Sequence, residues 1–278
     1  MKKTFLLTSF VALVAAQSAF AANLTIQNNT ASFWNTEHDF NDGDIWFNQS
    51  GTFPTITTAD QVLFTSKIAN STVNVINAAV SSSTLKVGSV GDTGNYTATL
   101  NVFQNFTTAS ILQVGFSANG ILNVDGAVVT SGGNATFGNT ATTGVMNITS
   151  GGTFQTTSAF VMNANSTVTV TDGTLKMLQT DIINNFSLVM SEGAILDLQG
   201  DSQLWLTGDQ TVVGSNLNNY ITSGWILADG NTGAANFSQV FDGANTIVSV
   251  VALVPEPATY ALLGGLLALG SVMIRRRK

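Results

Sequence analysis

An internal repeat with a period of roughly 22 to 25 residues runs through the middle of this 278-residue chain. Its clearest copies place one polar residue between two apolar residues: Leu100-Asn101-Val102, Leu122-Asn123-Val124, Met146-Asn147-Ile148 and Val168-Thr169-Val170. A fixed period in this range is typical of solenoids, in which each repeat adds one unit to a stack. The repeat therefore predicts that successive copies of this segment stack on one another.

Each period contains three short segments of alternating polar and apolar residues, separated by corners rich in Gly, Asn and Asp. One further set precedes the copies above and another follows them, for example Leu112-Gln113-Val114 and Thr153-Phe154. Two-residue alternation is typical of strands, and the corner residues tolerate the positive φ of tight turns. We therefore predict an all-β fold, a single-stranded parallel β-helix with about three short strands per coil and capping strands at both ends. A β-sandwich of antiparallel hairpins is the alternative, because short, evenly spaced strands fit it too.

Alternation also assigns the faces of these strands. The apolar residues of each triplet, such as Val124 and Ile148, are expected to point into the bore, and the Asn between them outward. Trp34 and Trp46 lie in an aromatic-rich segment before the first clear coil, which we interpret as a cap. A carbohydrate-stacking platform is the alternative for these tryptophans.

The charge of the segment between the two ends excludes several functions. Residues 22–254 contain three lysines, no arginine and fifteen acidic residues, which gives a net charge of −12. Binding to nucleic acid depends on basic residues that neutralise phosphates, so we expect no nucleic-acid partner. The chain has no cysteine, which excludes disulfides, thiolate zinc sites and thiol nucleophiles.

No constellation of residues predicts catalysis, a cofactor or a metal. The alignment of the repeats places Asp125 and Asp172 at the same corner position, two coils apart. We interpret both as corner residues. The single histidine, His38, lies in the predicted N-terminal cap and has no accompanying nucleophile motif. The acidic segment at residues 39–44 departs from the spacing of an EF-hand, so an acidic turn is favoured over a weak calcium site. We therefore expect a protein that is not an enzyme.

The N-terminal 21 residues have the layout of a secretory signal peptide. Lys2-Lys3 precede an apolar stretch at residues 5–16, and Ala19 and Ala21 fit the small subsites of signal peptidase. The mature chain is therefore expected to begin at Ala22. A second membrane anchor is the alternative, but the apolar stretch is too short for it.

Three elements follow one another at the C-terminus. The tetrapeptide Val254-Pro255-Glu256-Pro257 cannot be helical because of its prolines. Residues 258–274 form an apolar run that is long enough to span a membrane. The basic stop Arg275-Arg276-Arg277-Lys278 follows this run. The basic end is expected to stay cytoplasmic, which places the rest of the chain on the far side of the membrane. An ordinary single-pass anchor is the alternative reading of this order.

This tail resembles the PEP-CTERM sorting signal of Gram-negative bacteria that make extracellular polysaccharide, through Pro255-Glu256-Pro257, the apolar run and the terminal arginines. The resemblance implies that an exosortase-type transpeptidase in the membrane recognises the motif and processes the tail. The repeat, in turn, is similar to the passenger-type β-helical repeats of autotransporters, in phrases such as Gly120-Ile121-Leu122-Asn123-Val124-Asp125-Gly126.

Together these observations predict the organisation and role of the chain. The predicted parts are a signal peptide (1–21), an N-terminal cap (22–66), β-helix repeats (67–200), a C-terminal β cap (201–253) and a sorting tail (254–278) with a transmembrane helix at 258–274. We expect a structural or adhesive protein that is exported to the cell surface or extracellular matrix, with extracellular polysaccharide as a possible partner. A carbohydrate-active β-helix enzyme and a permanently tethered surface protein are the alternatives.

Overall fold

The computed structural model describes residues 23–26, 37–39, 61–64, 70–76, 79–88, 96–179, 188–251 and 266–267, with side chains from residue 61 onward. Within these ranges the chain forms three sheets, whose strands are numbered in chain order. Sheet A comprises β1 (Asn23–Ile26), β3 (Gln61–Phe64), β6 (Thr84–Val87), β9 (Leu112–Val114), β12 (Ala135–Phe137), β15 (Phe160–Met162) and β18 (Leu188–Met190).

Sheets B and C complete the three sides of the solenoid. Sheet B comprises β2 (Glu37–Asp39), β4 (Ser71–Val75), β7 (Thr97–Val102), β10 (Asn119–Asp125), β13 (Gly144–Thr149), β16 (Ser166–Thr171), β19 (Ile195–Gln199) and β21 (Ile226–Ala228). Sheet C comprises β5 (Val80–Ser82), β8 (Phe106–Thr108), β11 (Val128–Ser131), β14 (Thr153–Thr156), β17 (Thr174–Met177), β20 (Gln203–Thr207), β23 (Asn245–Val250) and β22 (Phe237–Phe241). A short helix, α1 (Asn216–Thr222), and a 3₁₀ turn (Ala234–Asn236) lie between β20 and β22.

The chain visits the three sheets in the order A, B, C and then returns to sheet A one strand further along. It makes about five such turns between β3 and β18. Neighbouring strands are parallel throughout sheets A and B and from β5 to β20 in sheet C, whereas β20, β23 and β22 pair in antiparallel fashion. The predicted parallel β-helix is therefore confirmed, and the antiparallel sandwich is excluded for the described residues.

The bore of the solenoid is filled by columns of apolar side chains that continue from coil to coil. Val124 lies in register between Val102 and Ile148, and all three are buried. Their polar neighbours point outward, as the alternation predicts. Each apolar side chain is thereby removed from water by the coils on both sides of it, which is the main stabilising contribution in a fold of this kind.

Three phenylalanine rings pack together inside the bore. The ring centroid of Phe137 lies 4.8 Å from that of Phe160 and 6.1 Å from that of Phe154. The Phe154 and Phe160 rings meet edge to face at 5.6 Å. These three rings come from strands of sheets A and C, so they join two walls of the solenoid across its interior.

The corner between sheets A and B brings backbone segments into direct contact. A Cβ atom placed on Gly144 would lie 2.1 Å from the amide nitrogen of Gly138 and 2.4 Å from the carbonyl oxygen of Val114. These are backbone atoms, which cannot move aside as the end of a side chain can. Position 144 is therefore restricted to glycine by close approach.

The C-terminal end of the bore is closed by α1 and the strands around it. Leu217 and Ile221 of α1 are fully buried, and Ser215 caps the helix by accepting a hydrogen bond from the Asn218 amide. The Tyr220 ring stacks on Trp225 at 5.3 Å. The end of the solenoid is thus covered by a helix that packs against the last coil.

Parallel pairing also involves strands in the segments predicted as caps. β1, β2 and β3 lie within residues 22–66 and pair in parallel with their neighbours, and β21 extends sheet B beyond residue 201. β22 and β23 form the antiparallel closure expected at the C-terminal end. The domain boundaries themselves stay predictions.

Candidate functional site on the outer face of sheet B

A ladder of asparagine side chains runs along the outer face of sheet B. Asn101 donates from Nδ2 to Oδ1 of Asn74 at 2.8 Å, Asn123 donates to Asn101 at 2.7 Å, and Asn147 donates to Asn123 at 2.8 Å. The register of β4, β7, β10 and β13 aligns these four residues on successive strands. Every amide in the series therefore donates in the same direction, toward the N-terminal end of the solenoid.

Each amide in the middle of this ladder keeps part of its hydrogen-bonding capacity. An asparagine side chain has two N–H donors and two acceptor lone pairs on its oxygen. Asn123 uses one donor toward Asn101 and one lone pair toward Asn147. One donor and one lone pair remain for a ligand or water at this position, and they recur at the spacing of neighbouring strands, about 4.8 Å.

An open depression lies beside the ladder, which we call the amide groove. It has a volume of about 240 Å³ and is lined by Asn101, Val102, Phe103, Asn123, Asp125, Asn147 and Thr149. Phe103 is 42 % exposed, although its amide donates a hydrogen bond to the carbonyl of Val75 and so holds the backbone in the corner. The groove thus combines an exposed aromatic face with a row of amides.

Within the described part of the chain, Asp125 supplies the one carboxylate that lines this groove. The Thr149 hydroxyl lies 3.3 Å from Asp125 Oδ1 and donates to it across the strand pair. Among the described residues, no lysine lines the groove. Lys86 lies over the ring of Phe116 at 5.7 Å, and Lys176 lies over Trp205 at 4.8 Å, on the outer faces of sheets A and C. The groove is therefore acidic rather than basic.

The interpretation of Asp125 and Asp172 as equivalent corner residues was wrong by one position. Asp125 is the last residue of β10 and pairs with Thr149, whose counterpart in the next coil is Thr171. Asp172 instead has positive φ at 52°, as do Gly126 and Ser150 in the two preceding coils. The Asp172 carboxylate accepts a hydrogen bond from the amide of Asp201 at 3.0 Å and so links two coils at their corners.

Several predicted site residues lie outside the described residues. They are the signal peptidase site (Ala19, Ala21, Ala22), the sorting motif (Val254, Pro255, Glu256, Pro257) and the basic stop (Arg275, Arg276, Arg277, Lys278). The side chains of His38 and of the acidic segment 39–44 are not described either. Among the side chains that the structure does describe, no three His, Asp or Glu residues converge as ligands for a metal ion.

Sequence reasoning placed the asparagines outward but did not identify the amide groove. The available signal was the recurrence of Asn at one position of each period, at residues 74, 101, 123 and 147. Phe103 follows this position by two residues in its coil, and it breaks the polar pattern of the outer face. Such an exposed aromatic residue beside a polar row would have indicated the groove.

Comparison with known protein families identifies the tail. Residues 253–278 match the PEP-CTERM protein-sorting motif. The chain carries a PEP-CTERM sorting motif. This PEP-CTERM match coincides with the tetrapeptide, apolar run and basic end predicted from the sequence, and it implies export and processing by exosortase-type machinery on the way to the cell surface. Neither a curated protein nor a solved structure matched the chain.

The predicted transmembrane helix at 258–274 lies outside the described residues, apart from the helical residues Leu266 and Leu267. In the described part of the chain, no helix combines the length and the apolar character that crossing a membrane requires.

Proposed function

We propose that this exported solenoid is a structural or adhesive protein of the cell surface or extracellular matrix, and that it binds neutral polysaccharide in the amide groove. The observation that carries the proposal is the in-register asparagine ladder beside the exposed ring of Phe103. The PEP-CTERM motif supports the location but leaves the ligand open.

The chemistry of the groove fits a sugar chain. A pyranose ring has an apolar C–H face, which packs on an aromatic ring, and a rim of hydroxyls, which both donate and accept hydrogen bonds. Phe103 offers the ring, and the spare donor and acceptor of Asn123 offer the polar partners. A single hydrogen bond of this kind contributes about 0.5–1.5 kcal/mol, so binding depends on several contacts along one chain.

Charge favours a neutral ligand over an acidic one. Residues 22–254 carry a net charge of −12, and Asp125 places a carboxylate in the groove without a lysine beside it. Uronate polymers would meet like charges at short range, which opposes their binding. Neutral glucans avoid this repulsion.

We further propose that the groove does not hydrolyse its ligand. Glycosidases use a pair of carboxyl groups at defined separation, one as acid and one as base or nucleophile. The groove is lined by one carboxylate, Asp125, and by amide, hydroxyl and apolar side chains. Such a lining supports binding and orientation of a sugar chain, but it offers no partner for acid–base catalysis.

Affinity electrophoresis of the exported protein in gels that contain either a neutral glucan or polygalacturonate tests the proposal. We expect retardation by the glucan alone. Phe103→Ala should weaken the retardation roughly threefold to tenfold, since an aromatic contact contributes about 0.5–1.5 kcal/mol beyond its buried area. Phe116→Ala is the matched control, because Phe116 is 40 % exposed but lies beside Lys86 and away from the groove.

Equal binding by the Phe103→Ala variant and the unmodified protein would show that the groove is not the binding site. Reducing ends released from the glucan, and lost on Asp125→Asn substitution, would establish an enzyme instead. Mass spectrometry of the surface protein separates the remaining alternative, because a permanently tethered protein would retain residues 258–278.

A further inference from the structure

Among the described strands, the outermost strand of sheet C, β22 (Phe237–Phe241), has one edge without a partner. It pairs with β23 on one side and ends the sheet on the other. The amide of Val251 donates to the carbonyl of Asn236, and the amide of Asp242 donates to the carbonyl of Asn245. These two bonds show that the even-numbered residues of β22 form the backbone hydrogen bonds to β23. The backbone groups of Gln239 and Phe241 consequently point away from the sheet.

Among the described residues, no group pairs with these outward backbone atoms of Gln239 and Phe241. The Phe237 amide, which also faces outward, is satisfied locally by the carbonyl of Ala234. Within the described part of the chain, the backbone groups of two alternate residues of β22 are therefore left without a partner. Open edges of this kind are templates for pairing with another strand.

The edges of the other two sheets are partly covered at the same end of the solenoid. In sheet A, the amide of Met190 in β18 donates to the Tyr220 hydroxyl at 3.2 Å. In sheet B, Ala228 of β21 exchanges two backbone hydrogen bonds of 2.9 Å with Asn231, so the chain folds back over its own edge. These contacts engage Met190 and Ala228, whereas the outward backbone groups of Gln239 and Phe241 in sheet C have no such contact among the described residues.

The side chains of β22 also lack the usual devices against edge pairing. The strand contains no charged residue, no proline and no bulge in its pairing with β23. Val240 is 55 % exposed and lies in register with Ile247, which in turn pairs with Trp205 of β20. These three residues form an apolar row across the outer face, and the row ends abruptly at the open edge.

We propose that β22 pairs with β22 of a second copy of this protein, in antiparallel orientation about a twofold axis at Val240. In this register Gln239 of each copy faces Phe241 of the other, and each facing pair exchanges two backbone hydrogen bonds. Val240 faces Val240 of the second copy, so the two apolar rows join. The two solenoids then lie end to end with their C-terminal caps in contact.

Charge disfavours the neighbouring register in which the axis lies at Phe241. Asp242 follows the last residue of β22, and hydrogen bonds from the amides of Asn245 and Ala244 hold the pKa of its carboxyl below the usual value, so it is ionised at neutral pH. With Val240 on the axis, each Asp242 faces Ser238 of the other copy, and the two carboxylates lie about 14 Å apart along the strands. That separation exceeds the Debye length of about 8 Å at physiological ionic strength. A shift that brings the axis to Phe241 would place the two carboxylates in diagonal contact.

The absence of cysteine from the chain makes a direct test possible. In the proposed register the Cα atoms of the two Val240 residues are about 4.5 Å apart, within the range that a disulfide spans. Val240→Cys in the full-length protein, extracted in mild detergent, should form a reducible dimer under mild oxidation. Ser238→Cys is the matched control, because Ser238 is also exposed on the same face of β22 but lies about 14 Å from its counterpart.

We expect a dimer yield for Val240→Cys at least about tenfold above that of Ser238→Cys, since a Cα separation beyond about 7 Å cannot be bridged. Association through the tail would raise both yields equally, because both variants retain it. Val240→Lys should abolish the dimer measured by light scattering, since it places like charges opposite each other. Equal disulfide yields in the two cysteine variants, or a dimer that persists in Val240→Lys, would overturn the proposal.

Discussion

Replacing Ile148 with Ala tests the assignment of the two faces of sheet B. Ile148 is fully buried and lies in register between Val124 and Val170, so its side chain contributes to the interfaces on both sides of its coil. The substitution removes three carbon atoms, which corresponds to about 2.4 kcal/mol of transfer free energy at 0.8 kcal/mol per methylene. The cavity that remains adds to this, and we expect a total loss of about 3–4 kcal/mol in the free energy of unfolding.

Asn147→Ala is the matched control on the neighbouring residue. Asn147 points outward and donates one hydrogen bond of 2.8 Å to Asn123, so its loss should cost about 0.5–1.5 kcal/mol. Urea unfolding followed by circular dichroism measures both values, and the slope of free energy against urea concentration should stay unchanged. Equal losses for the two variants, or a larger loss for Asn147→Ala, would contradict the inward orientation of Ile148.

Three further predictions concern a corner, a turn and the tail. Gly144→Ala should prevent accumulation of the folded protein, because the new Cβ would collide with backbone atoms. Gly214→Ala is the control at an open position and should cost only about 1–2 kcal/mol in left-handed strain. The protease resistance of the two exported variants distinguishes these outcomes. The pKa of Asp242 is lowered by backbone hydrogen bonds, so its contribution to the stability of the β22–β23 hairpin is present above about pH 4 and lost as the pH falls further. Amide hydrogen exchange in the hairpin should therefore become faster in acid, and Asp242→Asn should remove this pH dependence. Glu256→Ala should leave full-length protein in the membrane and reduce surface display, which surface labelling detects. Val254→Ala should reduce surface display less. Equal display of both variants would indicate a simple anchor.

The coil and its register could be predicted from the sequence because the bore imposes a strict pattern. Val102, Val124, Ile148 and Val170 were aligned by their spacing, and each pairs with the next in the structure. The spacing varies from copy to copy because the corners differ in length. Residues 138–143 connect sheets A and B in one coil, and residues 163–165 do so in the next.

Features that depend on how corners and ends pack could not be read from the pattern. Asp172 was assigned to the wrong column because a corner residue is fixed by its positive φ, which the alternation of the adjoining strand does not encode. Helix α1 was not predicted, since its seven residues bury only Leu217 and Ile221, which is too short a pattern to be distinguished from a strand. The amide groove depends on coils that stack without lateral offset, because only then does Nδ2 of Asn123 lie 2.7 Å from Oδ1 of Asn101.

The short connection between the last strand and the sorting motif limits how far that motif can lie from the folded sheet. β23 ends at Val250, and the PEP-CTERM match begins at residue 253. The four residues 251–254 can reach at most about 14 Å when fully extended, at 3.3–3.6 Å per residue. β23 is held between β20 and β22, so the chain cannot lengthen this tether without breaking two ladders of hydrogen bonds. An enzyme that binds at Pro255 must therefore act within about 14 Å of the end of the folded sheet, so its binding site has to leave room for the solenoid.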